Sequence, residues 1–121
     1  MNNTHTNNIT KTASADMSKG TVVKLDGENI VACAASDAGA IGVIMDDVKA
    51  GDNVAVALLG IANHTIGVLA SATISAGANV CLDANGKIKA GTSGICIGIA
   101  LTAGYANGIV EVAHRAPQTL A

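Results

Sequence analysis

Aromatic residues are nearly missing from this chain. Its 121 residues include no Phe and no Trp, and Tyr105 carries the only aromatic ring. Charge is sparse at 13%, with a formal net charge of −2. Nucleic-acid binding draws on basic patches and stacking rings, and the chain has neither. A single ring also serves a carbohydrate-stacking site poorly. Three Cys residues are few and odd in number, which argues against a disulfide scaffold. Cys33, Cys81 and Cys96 lie in apolar stretches and read as small buried hydrophobes, consistent with folding in a reducing cytoplasm. Long apolar runs are absent too. The stretch from Val54 to Ala70 is interrupted by Asn63, His64 and Thr65 and cut by Gly60 and Gly67. A spanning helix needs about 20 largely uninterrupted apolar residues, so no membrane span is expected. The N-terminus lacks the basic and apolar regions of a signal peptide.

What is present is aliphatic. Half of the chain is hydrophobic, almost all of it Ala, Val, Ile and Leu, with 14 Gly among them. That content excludes disorder throughout. A chain of this size can bury roughly two-thirds of its unfolded surface and hold a single core. Residues 1–18 are polar, rich in Asn and Thr, and without periodicity; they read as a flexible arm. Residues 19–116 read as a β domain and residues 117–121 as a C-terminal tail.

From Gly20 onward, short runs of β-branched residues alternate with turn signals. Thr21–Leu25 places Val23 and Leu25 on one face, Asp26-Gly27-Glu28 turns, and Asn29–Cys33 returns as its partner. Asn53–Leu58 and Gly108–His114 alternate in the same way. Asn85-Gly86 favours a type I′ hairpin. A short helical turn is expected near Met45–Val48, and no long amphipathic helix. The fold class expected is all-β: a small barrel or sandwich of short strands with pseudo-two-fold symmetry.

The symmetry comes from internal repetition. Gly20-Thr21-Val22-Val23-Lys24-Leu25-Asp26 matches Gly77-Ala78-Asn79-Val80-Cys81-Leu82-Asp83. Ile30 and Ala32 correspond to Ile88 and Ala90, Ile41-Gly42-Val43 to Ile97-Gly98-Ile99, and Val54-Ala55-Val56 to Val110-Glu111-Val112. The two halves are about 20–58 and 77–114, joined by 59–76. A smaller echo relates Val48–Val54 to Ile74–Val80, each with an Ala-Gly turn launching a strand. Gly inside a strand marks a bulge, a bend or close approach of another backbone, and the Ile-Gly pair recurs at the same place in both halves.

No catalytic constellation stands out. His5, His64 and His114 are isolated, and neither His-x-x-x-His nor Cys-x-x-Cys occurs, so zinc has no local support. Asp46-Asp47 with Asp52 reads as a solvated turn rather than a calcium loop. Gly39–Gly42 and Gly91–Gly94 lack the Lys and the strand–helix context of a phosphate loop. Ser71, Ser75 and Ser93 lack a nucleophile elbow. Neither catalysis nor a cofactor is expected. Lys87 follows Asn85-Gly86 and suggests a biotinyl- or lipoyl-like carrier, but its neighbours Gly86 and Ile88 are not the Met residues of a biotinyl carrier, and no acidic flank is present.

The order of these motifs carries a resemblance. Gly77–Asp83, Gly86-Lys87-Ile88, Ile97-Gly98-Ile99-Ala100 and Ile109-Val110-Glu111-Val112 follow one another as in the capsid decoration, or cement, proteins of tailed phages. Ile41-Gly42-Val43 and Ala50–Val56 fit an earlier section of the same pattern, so residues 18–115 are covered. The polar arm is a departure from it. The resemblance implies a virion protein made in the host cytoplasm that binds the outer surface of the mature icosahedral head. It would act as a homotrimer that bridges subunits of the major capsid protein. The arm residues Asn3, Thr4, Thr6, Asn7, Asn8 and Thr10 would then supply capsid contacts, and deleting residues 1–17 should weaken head binding while sparing the fold. A small β module of a phage tail or tail fibre is the alternative from a different class.

Overall fold

A computed structural model describes residues 8–62 and 64–120. These residues are nearly all β. Ten strands run in chain order: β1 (Asn8–Thr12), β2 (Val22–Asp26), β3 (Asn29–Ala32), β4 (Ala40–Ile44), β5 (Asn53–Leu58), β6 (Ile66–Leu69), β7 (Asn79–Leu82), β8 (Ile88–Ala90), β9 (Gly94–Ala100) and β10 (Ile109–Leu120). They form two five-stranded sheets, ordered β1-β5-β4-β2-β3 and β6-β10-β9-β7-β8. Within each sheet all pairings are antiparallel. Neither sheet closes on itself, so the arrangement is sandwich-like and not a barrel. Among the described residues no helix is long and apolar enough to cross a membrane. The residues near Met45–Val48 form bends and a bridge rather than the expected helical turn.

The second sheet repeats the first strand for strand. Small contacts repeat as well. Ala13 bridges Ile30 as Ala70 bridges Ile88, and Met17 bridges Val48 as Ile74 bridges Gly104. The Ser14 hydroxyl donates to Asp26 Oδ2 at 3.1 Å, and the Ser71 hydroxyl donates to Asp83 Oδ2 at 2.7 Å. Ser71 and then the Ala84 amide hold the Asp83 carboxyl below the usual carboxylate range.

The repeat therefore begins before Gly20. Residues 8–18, expected to belong to a flexible arm, contain β1, which pairs with β5 from Asn8↔Ala57 to Thr12↔Asn53. Ala13 behind it is fully buried. Only Ile9 is apolar within β1, too little for a visible alternation. Its counterpart β6 lies in what read as the joining segment. At the other end, residues 117–120, expected as a tail, continue β10 and pair with β9 through Gln118↔Cys96, Thr119↔Ile95 and Leu120↔Gly94. Pro117 sits within the register shift between His114 and Gln118, where a missing N–H costs no ladder bond.

Removing residues 1–17 deletes an edge strand, the Ile9 packing and buried Ala13. We expect such a truncation to lose on the order of 3 kcal/mol in denaturant unfolding. An unchanged midpoint would show that β1 contributes nothing to the fold.

The Ile-Gly pair has a concrete role in both sheets. Against β2, β4 pairs Gly42 with Val23 and Ala40 with Lys24, leaving Ile41 as the extra residue of a bulge. Against β7, β9 pairs Gly98 with Val80 and Cys96 with Cys81, leaving Ile97 extra. A side chain at Gly42 would run into the Ala57 carbonyl, and one at Gly98 into the Ala113 carbonyl. The expected hairpin at Asn85-Gly86 is present between β7 and β8, with both residues at positive φ (62° and 72°).

All three cysteines are buried, but two of them are not free. Cys81 and Cys96, neighbours across the β7–β9 register, are joined by a disulfide. The reading of all three as small buried hydrophobes is right about burial, but it is corrected for Cys81 and Cys96, which form a covalent link. The positions equivalent to this pair in the first sheet are Lys24 and Ala40, so the repeat gives no hint of it.

Cys33 remains a free thiol. Burial, aided by the Asp37 carboxylate, pushes its pKa up to about 12. The folded protein keeps this proton while the unfolded chain releases it near pH 9, so stability falls as pH rises from about 9 to 12. The full loss is roughly 4 kcal/mol. Urea melts between pH 8 and 11 should decline more steeply for the wild type than for Cys33→Ala. Parallel declines would remove Cys33 as the cause.

Candidate interaction surfaces

Two clusters of buried side chains fill the molecule. One is private to the first sheet and contains Val23, Ile30, Ile44, Val54 and Val56, with Ile9, Met17 and Ile41 partly buried around it. The other is shared. It takes Ile66, Ile74, Leu82, Ile88 and Ile97 from the second half, and Val22, Val43, Ala57 and Leu59 from the first. The first sheet thus turns its outer face onto the inner side of the second sheet. Hydrogen bonds tie this seam: Leu69 N–H donates to Gly20 O at 2.9 Å and Gly86 N–H to Cys33 O at 2.7 Å. A side chain at Gly86 would collide with Thr21 and Val22, so the β7–β8 turn lies flush on the first sheet.

The polar candidates are mostly tied into structure. His114 Nδ1 accepts the Gly60 N–H at 2.8 Å, and its other ring nitrogen meets the His64 carbonyl at 2.9 Å. This pair fastens the connection between the halves to β10. A surface groove of about 770 Å³ is lined by Asp16, Asp47, Asp52, Lys49 and Lys87 among others. There Asp16 accepts from the Ala50 N–H and Asp47 from the Lys19 N–H, each within 2.8 Å. Lys87 donates to Asn107 Oδ1 at 2.7 Å. No group of three His, Cys, Asp or Glu residues able to hold a metal occurs among the described residues.

Of the proposed capsid-contact residues, Asn3, Thr4, Thr6 and Asn7 lie outside the described residues. Asn8 and Thr10 lie on one side of edge strand β1. Asn8 Nδ2 donates to Met45 Sδ at 3.1 Å, and its buried Oδ1 has no partner among the described residues. Met45 opens onto a groove of about 290 Å³ at the seam, lined by Lys19, Ile44, Ile66, Ile109 and Glu111 among others. Past that groove the outer face of the second sheet is exposed and apolar. Ile99, Leu101 and Ile109 are 40%, 49% and 46% exposed. They form one patch, because Ile99 pairs with Ala113 and the Leu101 N–H bonds the Glu111 carbonyl. The described residues therefore offer broad surface for a partner, and among them no cleft brings reactive groups together.

Comparison with known proteins agrees with this picture. Residues 1–115 match the phage cement protein family. The chain belongs to that family. No curated protein matches it. Among solved structures, this cement protein is similar to the N base of the head fiber gp8.5 of bacteriophage phi29. The TM-score is 0.67 at 20% identity, covering 92% of this chain and 96% of that one. That likeness extends the shared fold across nearly the whole cement protein.

The sequence reading missed β1, β6 and the exposed face on β9 and β10. A signal for the first two was present. Ala13-Ser14-Ala15-Asp16-Met17-Ser18-Lys19-Gly20 matches Ala70-Ser71-Ala72-Thr73-Ile74-Ser75-Ala76-Gly77 at five of eight positions. Following that match upstream sets Ile9 against Ile66 and moves the start of the repeat into the supposed arm.

Proposed function

We propose that this cement protein binds the exterior of the mature, expanded phage head and stabilises it by bridging neighbouring major capsid subunits as a trimer. Membership of the cement family over residues 1–115 carries this reading. The chemistry of the surface fits it. A net charge of −2 gives weak long-range steering, so binding depends on short-range fit and little on salt. Exposed apolar side chains on a small domain mark a partner surface. Three copies joined together hold several weak capsid contacts at once, and avidity of roughly 10² to 10⁴ makes them sufficient. Asn3, Thr4, Thr6, Asn7, Asn8 and Thr10 would contribute hydrogen-bonding contacts to the capsid, with Asn8 and Thr10 fixed on an edge strand beside them. A sheet edge also offers unpaired backbone groups to an extended capsid segment.

Co-sedimentation of the purified protein with expanded, tailless heads tests the reading, with unexpanded proheads as control. Saturable binding to expanded heads is expected. Binding to tails instead would move the protein to the tail-module class. Removing only residues 1–7 should lower head occupancy, and full occupancy by that variant would remove those residues from the contact.

A further inference from the structure

We infer that copies of this chain associate head to tail, the outer face of the second sheet in one copy covering the partly exposed rim around the buried inner core of the first sheet in the next. The inference rests on the internal repeat and on which equivalent positions are covered. Within one chain, the seam joins the outer face of sheet one to the inner side of sheet two. This seam is heterologous, because different surfaces of two similar units meet. Each surface therefore has an unused counterpart on the other unit.

The burial pattern shows both counterparts. On the inner side, Ile66, Ile74, Leu82 and Ile97 of the second half are buried in the shared core. Their equivalents Ile9, Met17 and Ile41 are only partly buried, and Leu25 is 49% exposed. On the outer face, Val43 and Ala57 of the first half are fully buried at the seam. Their equivalents Ile99 and Ala113 are exposed, although they pair across β9 and β10 in the same register. Both free surfaces remain apolar at most of these positions. They also differ in charge, with Lys11 on the inner side of β1 and Glu111 on the outer face of β10. A second copy of this chain is thus the occupant whose shape and chemistry the molecule already displays.

Repeating the seam between chains gives a closed ring if its rotation closes and a filament if it does not. The number three belongs to the proposed function; the contact itself does not depend on it.

The test uses complementary variants of the full chain. Leu25→Asp spoils the inner surface and Ile99→Asp spoils the outer one. Both side chains are exposed, so circular dichroism should match the wild type, as should melting at low protein concentration, where association contributes nothing; Leu25→Gln and Ile99→Gln serve if either aspartate variant fails to fold. Analytical ultracentrifugation should show the wild type as a closed oligomer or longer assembly. Each variant alone should be monomeric. An equimolar mixture of the two should form a one-to-one dimer, because each retains the surface that the other lacks. A monomeric wild type at high micromolar concentration would overturn the inference. So would variants that remain oligomeric, or a mixture that stays monomeric. Saturable head binding by a monomeric wild type would overturn it while leaving the capsid-binding reading in place.

Discussion

Gly98→Ala should cost about 3 kcal/mol or more, or prevent folding outright. A methyl group at Gly98 would enter the space of the Ala113 carbonyl and press on His114 and Val112 of β10. These neighbours are backbone and a β-branched side chain in a paired strand, so they have little freedom to move aside. Relief would come only from separating β9 and β10, the ladder that holds the centre of the second sheet. Gly42→Ala should behave in the same way, because its methyl would meet the Ala57 carbonyl and Val56. Gly77→Ala is a useful contrast. Gly77 also has a positive φ, of 89°, but nothing lies within contact distance of its added Cβ. Only the left-handed backbone penalty remains there, about 1 kcal/mol. Urea unfolding of the three variants separates close packing from backbone strain. Equal losses at all three sites would refute the role assigned to the Ile-Gly pair.

The second large effect contrasts two positions that the repeat makes equivalent. Val43→Asp should unfold the protein or destabilise it by more than about 4 kcal/mol, while Ile99→Asp should stay within about 1 kcal/mol of the wild-type monomer. Val43 has no solvent exposure and sits in the core shared by the two sheets. A carboxylate there would lose its water and find no partner. Ile99 holds the same register position in β9 but is 40% exposed, so a carboxylate remains hydrated. Thermal melts at low protein concentration, where no association contributes, measure the difference. A large loss at Ile99 under those conditions would mean that the outer face of the second sheet is packed within the monomer.

Much of this architecture was legible in the chain itself. The alternation of Thr21–Leu25 and Asn53–Leu58 marks strands, the Asn85-Gly86 turn fixes a hairpin, and the spacing of about 57 residues marks duplication. The Ile-Gly pairs pointed to bulges with close backbone contact, which both sheets contain. The motif order pointed to the cement family. Strand β1 was hidden because its alternation is carried by polar residues around Ile9, and a polar strand resembles a polar coil until its partner is known. The disulfide was hidden because Cys81 and Cys96 meet only through a bulged register that no spacing rule encodes.

The sequence alone determined that the fold is β, that it is built twice, and which face of most strands is apolar. These properties follow from side-chain period and turn chemistry, which act over a few residues. Tertiary structure alone decided which of two nearly equivalent apolar faces is covered. Val43 and Ile99 occupy the same motif and look alike as sequence, yet one lies in a core and the other meets water. That difference arises because two similar sheets stacked head to tail within one chain can cover only one of the two outer faces, so Val43 lies at the seam and Ile99 meets water.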